Sequence, residues 1–90
     1  MLRKNVPLQR RTRIDITAEI LRIANDGAKK TQIVYGANLN FKLLRKYLDE
    51  LEKAGFIMRD LEKQGIIKTT EKGENYLKYY EGFRDFGVVS

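Results

Sequence analysis

A single amphipathic segment, residues 41–54, constrains the fold more than any other part of the sequence. Its apolar residues recur every three or four positions and are Phe41, Leu44, Leu48 and Leu51, flanked by Leu43 and Tyr47. This spacing puts the side chains on one face of an α-helix. Asn40 can cap the N-terminus of that helix, and Gly55 can end it. The sequence therefore predicts a helix over 41–54 with one face buried in a core.

Two shorter helical patterns precede this segment. The apolar residues of the first recur at helical spacing and are Ile16, Ile20, Ile23 and Ala24. Asp15 is the expected N-cap of this helix, and Gly27 suits a left-handed residue at its end. Residues 30–35 form a second, short candidate helix, and residues 36–39 form a tight turn with one apolar anchor. The turn leads directly into the amphipathic segment.

A hairpin and a last helix are predicted after Gly55. Residues 56–61 and 66–69 are short β-prone runs, and the polar linker between them has hairpin length. Thr70 can cap a final helix over about 70–83, whose apolar residues are Tyr76, Leu77, Tyr80 and Phe83. Two helices joined by a Gly-containing turn and followed by a hairpin make a winged helix-turn-helix. The predicted fold class is mainly α with a small β-hairpin (α+β).

The basic residues are concentrated at one end of the chain. The net charge is +6, and residues 1–14 contain no acid and five bases, which are Arg3, Lys4, Arg10, Arg11 and Arg13. Residues 1–12 lack periodic apolar positions, so they predict a flexible basic arm that becomes ordered on contact with a partner. A tail without a partner is the alternative. A winged helix domain over 13–86 and a tail over 87–90 complete the predicted organisation.

The composition argues against catalysis. The chain has no Cys and no His, which removes thiolate and imidazole nucleophiles, bases and metal ligands. Its glycines are scattered, so no phosphate-binding loop is present, and the adjacent Asp49 and Glu50 point in different directions on a helix. We therefore predict no enzyme activity, cofactor, metal or small-molecule ligand. No apolar run reaches the roughly 20 residues that span a bilayer, so a cytoplasmic, nucleoid-associated protein without a membrane partner is expected.

Basic and amide side chains near the start of helix 41–54 favour double-stranded DNA as the partner. In a helix-turn-helix, the second helix enters the major groove by its N-terminal residues, which here are Asn40, Lys42, Arg45 and Lys46. Asn can pair with adenine, and Arg or Lys can pair with guanine. Further contacts are predicted to the DNA backbone, by Lys29, Lys30 and Gln32, by Lys63 in the wing, and by Arg10, Arg11 and Arg13 in the arm. The alternative is that these side chains are only solvated.

The last helix carries more aromatic residues than one face of so small a domain needs. They include Tyr76, Tyr79, Tyr80 and Phe83. Exposed aromatic patches usually mark an interface, so we predict that these residues form a homodimer contact, although several of them could instead cover the core. A winged helix that serves as a protein-interaction module in a transcription or replication complex is the alternative function. RNA binding is less favoured, because no sheet face offers aromatic stacking platforms.

Three stretches of the chain resemble archaeal winged-helix proteins. Residues 30–40, K-T-Q-I-V-Y-G-A-N-L-N, resemble a signature that spans the second helix and its turn. Residues 47–57 are similar to the exit from a recognition helix into the wing, and residues 69–77 resemble the start of the last helix. The resemblance extends to the small dimeric chromatin-type DNA-binding proteins of Sulfolobus, the 10a class. It implies DNA binding by a homodimer whose C-terminal helices form the contact.

The sequence departs from that family at both ends. Its basic N-terminal arm is longer. Its last helix is expected to reach only Gly82, without the long heptad-bearing coiled coil of those proteins. A transcriptional regulator therefore fits the sequence as well as a chromatin protein does.

Overall fold

A computed structural model describes the backbone of residues 11–89 and the side chains of residues 11–84. Within these residues the elements follow the order α1 (Arg13–Ile23), β1 (Ala28–Lys29), α2 (Lys30–Gly36), α3 (Phe41–Lys53), β2 (Ile57–Arg59), β3 (Ile66–Thr69) and α4 (Glu71–Val89). This arrangement confirms the predicted α+β winged helix-turn-helix. No helix in the described part of the chain is both long and apolar enough to cross a membrane.

The core lies where the first three helices meet the sheet. Its largest fully buried side chains are Ile20, Leu21, Ile33, Leu44, Leu48 and Ile67. Each such side chain contributes roughly 1.5–3 kcal/mol by leaving water. The prediction that Phe41 belongs to the buried face of α3 is wrong, because this side chain is 48% exposed. It occupies the first position of the helix, whereas Leu44, one turn further on, is buried.

The first helix begins earlier than predicted, and its N-cap is Thr12 instead of Asp15. The Oγ1 atom of Thr12 accepts the N–H of Asp15 at 3.1 Å, and the carboxylate of Asp15 accepts the N–H of Thr12 at 3.1 Å. This reciprocal pair is a capping box, in which the acid stands three residues after the cap. Thr12, predicted as part of the arm, therefore caps a helix of the domain, and the preceding Arg11 contacts the domain through the carbonyls of Ala37 and Asn38. The remainder of the predicted arm lies outside the described residues.

The sheet contains a strand that the sequence did not indicate. The strand order is β1-β3-β2, and both pairs are antiparallel. Ala28 of β1 lies opposite Ile67 of β3, and Lys29 lies opposite Ile66. A strand of two residues has no periodicity to detect, so it exists only because β3 offers it a pairing edge. Gly27 precedes it with a φ of 101°.

The last helix continues to Val89, beyond the end predicted near residue 83, so residues 87–89 are helical instead of forming a tail. Glycine within a helix costs only about 1 kcal/mol, and the helix passes through Gly82 and Gly87. Thr70 caps its start as predicted, because its Oγ1 accepts the N–H of Gly73 at 3.1 Å. Gly73 lies close to β2, where an added Cβ would overlap the Phe56 carbonyl oxygen.

Candidate nucleic-acid interface

Backbone and side-chain hydrogen bonds close the turn between α2 and α3 at both ends. The N–H of Leu39 donates to the carbonyl of Val34 at 2.9 Å, and Asn38 has a φ of 55°. This left-handed residue after a helix, with the bond that spans it, is a Schellman motif. The Oδ1 atom of Asn40 then accepts the N–H of Leu43 at 2.7 Å, which confirms the predicted cap of α3. These bonds set the direction of α3 relative to α2.

The solvent face of α3 is basic in its first half. Lys42, Arg45 and Lys46 are all exposed and project away from the buried Leu44 and Leu48. None of the three cations takes part in an ion pair among the residues that the structure describes. The first two turns of the helix therefore present uncompensated positive charge to solvent, together with the exposed cap Asn40.

Pairing of β1 with β3 brings two lysines beside the base of the hairpin. Lys29 and Lys30 line an open hollow of about 500 Å³, together with Thr31, Arg59, Gln64 and Gly65. Arg59 pairs with Glu52 at 3.4 Å, whereas neither lysine has an ion-pair partner within the described part of the chain. Sequence reasoning missed Arg59, because its closeness to the lysines depends on a cross-strand register that no local pattern reveals.

The hairpin tip is held by Asp60. The Oδ1 atom of this residue accepts the N–H groups of Lys63 at 3.0 Å and Glu62 at 2.8 Å, and these bonds lower the pKa of its carboxyl group. Gly65 closes the tip with a φ of 83°. Lys63 is therefore displayed on an ordered turn. Gln32, also predicted to meet the DNA backbone, accepts the N–H of Lys29 through its Oε1 at 2.9 Å and helps to cap α2.

Two of the arginines predicted to bind DNA have partners inside the protein. The Nη1 and Nη2 atoms of Arg11 donate to the carbonyls of Ala37 at 2.6 Å and Asn38 at 3.2 Å. Arg13 pairs with a carboxylate of α3, and its guanidinium carbon lies 5.3 Å from the centre of the Tyr47 ring. Arg10, Arg3 and Lys4 lie outside the described residues.

An aromatic groove lies between α4 and the start of α1. It measures about 680 Å³ and is lined by Thr12, Ile14, Asp15, Tyr76, Tyr79, Tyr80, Phe83 and Arg84. The hydroxyl of Tyr80 donates to Asp15 at 2.5 Å, and that of Tyr76 donates to the carbonyl of Ile14 at 3.2 Å. Tyr79 and Phe83 are 80% and 79% exposed. Two of the four aromatic residues predicted at a dimer interface thus fasten α4 to α1, and two project into solvent.

Comparison with known proteins places this fold among archaeal relatives. An uncharacterized protein of Methanocaldococcus jannaschii is 38% identical over 76 residues, which cover 82% of this chain and 75% of that protein. A second uncharacterized protein of the same organism is 36% identical over 80 residues, and these span 88% of this chain but 36% of that protein. The crystal structure of Sso10a-2, a DNA-binding protein from Sulfolobus solfataricus, superimposes with a TM-score of 0.74 at 31% identity over 87% of this chain and 83% of that chain.

These matches confirm the resemblance to archaeal winged-helix proteins that the sequence motifs indicated. Residues 10–87 match the winged helix-turn-helix family. The match includes every helix and strand described above except the last two residues of α4. The chain therefore belongs to the winged helix-turn-helix family.

Proposed function

We propose that this chain binds double-stranded DNA, with α3 in the major groove. The observation that carries the proposal is a set of exposed cations on the first turns of a capped helix, which have no ion-pair partner among residues 11–84 and are Lys42, Arg45 and Lys46. Cations placed so close to a helix N-terminus oppose the helix dipole, so stability alone does not account for them. The likeness to Sso10a-2, which is described as a DNA-binding protein, supports the same function.

The proposed contacts fall into two groups. Asn40 and the three cations of α3 would meet base edges, since Asn pairs with adenine and Arg or Lys with guanine. Lys29 and Lys30, in the hollow beside the hairpin, would meet the phosphate backbone, with Gln32 near them and Lys63 reaching from the wing tip. Phosphate contacts position the protein on the duplex, and base contacts specify the sequence. Arg3, Lys4 and Arg10 of the arm would add further phosphate contacts.

The proposed working form is a homodimer that acts as a transcriptional regulator or as a chromatin-type, nucleoid-associated protein. The aromatic groove between α4 and α1 supports it, because Tyr79 and Phe83 are large apolar side chains that remain mostly in solvent. A contact between two α4 helices would cover them. The same groove is the observation that favours the second candidate function, a protein-interaction module whose partner binds α4 instead of DNA binding α3.

A matched pair of charge-reversal variants tests the proposal. Lys42→Glu/Arg45→Glu changes the net charge as much as Lys53→Glu/Lys78→Glu does, but only the first pair lies at the N-terminal half of α3. In anisotropy titrations with duplex DNA, we expect the first pair to weaken binding by about 100-fold or more. We expect the second to weaken it only by the long-range charge effect, about tenfold or less. Equal losses, or no binding of the wild type at low salt, would contradict DNA reading by α3 and favour the interaction module.

A further inference from the structure

We propose that Arg11 is a positioning residue that holds the turn in front of α3, and that its side chain does not contact DNA. The inference rests on the proposed DNA binding by α3. Its starting point is the two hydrogen bonds that the guanidinium donates, to the carbonyl of Ala37 at 2.6 Å and to the carbonyl of Asn38 at 3.2 Å. Both acceptors belong to the turn that joins α2 to α3.

These carbonyls need a partner that α2 itself does not provide. The last carbonyl groups of a helix find no N–H donor within the helix, and the side chain of a basic residue in the last turn often donates to them instead. Ala37 is the C-cap of α2, and the last turn of this helix contains no basic residue. Arg11, 26 positions earlier in the chain, supplies both the positive charge and the N–H donors at this place.

The contact of Arg11 with the turn also affects the position of α3. Asn38 adopts a left-handed backbone conformation, which is less favourable for a residue with a side chain than for glycine. One guanidinium bridges the carbonyls of the two consecutive peptide bonds on either side of Asn38. Asn40, the cap of α3, follows two residues later. Holding Asn38 in place therefore holds the first turn of α3, where Asn40 and Lys42 would meet DNA.

A second contact fastens the same segment. Arg13 forms an ion pair with Glu50 in the later part of α3 and lies over the ring of Tyr47. Arg11 and Arg13 thus connect one short stretch of chain to the beginning and to the body of the helix. A phosphate that drew the Arg11 guanidinium away would release the turn that the proposed recognition helix depends on.

The dependence of DNA affinity on salt separates positioning from direct contact. A side chain that neutralises a phosphate contributes about 0.9 to the slope of log K against log salt, whereas a positioning residue contributes nothing to it. For Arg11→Ala we expect about tenfold weaker binding to a preferred duplex selected from random DNA, with an unchanged slope. For Lys30→Ala, the matched control for a phosphate contact, we expect the slope to fall by about one.

Arg11→Lys shows whether the turn needs the paired N–H donors of the guanidinium or only its positive charge. A single ammonium group cannot reproduce the planar pair of donors that bridges two carbonyls, so we expect this variant to resemble Arg11→Ala in affinity and to accelerate amide hydrogen exchange at Leu39. Should Arg11→Ala fail to fold, the lysine variant carries the test alone. Restoration of affinity by lysine, or a slope that falls by about one in Arg11→Ala, would overturn the proposal in favour of a phosphate contact, and wild-type affinity in both variants would overturn it outright.

The two proposals fail in different ways. Absence of salt-dependent binding by the wild type, with Lys30→Ala unchanged, would refute DNA binding itself. Wild-type binding that responds to Lys30→Ala but not to either Arg11 variant would leave DNA binding standing and refute only the positioning role.

Discussion

The hydroxyl group of Tyr80 lies 2.5 Å from the Oδ1 atom of Asp15, and this hydrogen bond joins the middle of α4 to the first turn of α1. The other carboxylate oxygen of Asp15 accepts the N–H of Thr12 at 3.1 Å. One carboxylate therefore both caps α1 and anchors α4. The helix proposed to form the dimer is thereby connected to the segment that holds the proposed recognition helix.

This arrangement predicts a pH dependence of stability. Hydrogen bonds from Tyr80 and Thr12 lower the pKa of Asp15. Because the folded pKa lies below the unfolded value, the stabilisation is fully present above about pH 4 and is lost as the pH falls through the folded pKa. Tyr80→Phe should lower the free energy of unfolding at pH 7 by about 1 kcal/mol. The variant should also lose less of its free energy of unfolding than the wild type does when the pH is lowered.

Urea unfolding at pH 7 and at about pH 3 measures both effects. Tyr79→Phe is the matched control, because Tyr79 is exposed and lies next to Tyr80 in α4, and it should behave like the wild type. An acid-dependent loss that is the same in Tyr80→Phe and in the wild type would contradict the role of this hydrogen bond.

Replacement by alanine should have opposite effects on stability at two glycines of α4. A Cβ on Gly73 would overlap the carbonyl oxygen of Phe56, whereas a Cβ on Gly82 would meet no atom within 4 Å. Gly73→Ala should therefore destabilise the protein by about 1–3 kcal/mol. Gly82→Ala should stabilise it by about 0.5–1 kcal/mol through helix propensity. Thermal unfolding of the two variants checks the signs, and a stable Gly73→Ala variant would show that α4 does not lie so close to β2.

The hydroxyl group of Thr69 forms a buried hydrogen bond between β3 and α1, and its removal should destabilise the protein. The Oγ1 atom of Thr69 donates to the carbonyl of Leu21 at 2.7 Å, and the bond is buried. Thr69→Val has nearly the same shape but leaves that carbonyl without this donor, so the free energy of unfolding should fall by about 1–3 kcal/mol. The control is Thr31→Val at an exposed position, which should change it by less than about 0.5 kcal/mol.

The proposed dimer predicts a change in oligomeric state without loss of the fold. Tyr79→Ser/Phe83→Ser removes two aromatic side chains of α4 that are about 80% exposed and should shift the protein to monomers in sedimentation equilibrium. The free energy of unfolding of the monomer should hardly change, because neither side chain packs in the core. Tyr35→Ser is the matched control, since Tyr35 is 81% exposed on α2. Equal effects of the two variants would argue against α4 as the dimer contact.

Replacement of Arg45 should reduce the preference of the protein for particular DNA sequences. If its guanidinium reads a base, Arg45→Ala should weaken binding to a selected duplex by about 1–3 kcal/mol and relax the preference at one position. Lys53→Ala, at the other end of the same helix, should leave the preference unchanged. Competition between selected and random duplexes at one salt concentration measures the difference, and an unaltered preference in Arg45→Ala would remove this residue from the proposed site.

Local patterns in the sequence were sufficient to predict the helix that presents the candidate site. An apolar residue every three or four positions, Asn40 in front and Gly55 behind determined α3, because cap and periodicity act within a few residues. The same reasoning predicted α2, the hairpin and the winged helix order. The correct cap of α1 was also accessible, since Thr12 and Asp15 have capping-box spacing. The extent of α4 was underestimated, because two glycines weaken a helix without ending it.

Contacts between distant parts of the chain were decided by the tertiary structure alone. Arg11 and Ala37 are 26 positions apart, and Asp15 and Tyr80 are 65 apart. No local pattern distinguishes an arginine that fastens a turn from one that faces solvent, and strand β1 exists only because β3 lies beside it. Patterns within a few residues of each other indicate which segments are helical, and the order of residues shows where basic side chains occur. Packing of those helices on the sheet determined which bases are paired within the protein and which remain exposed for a partner.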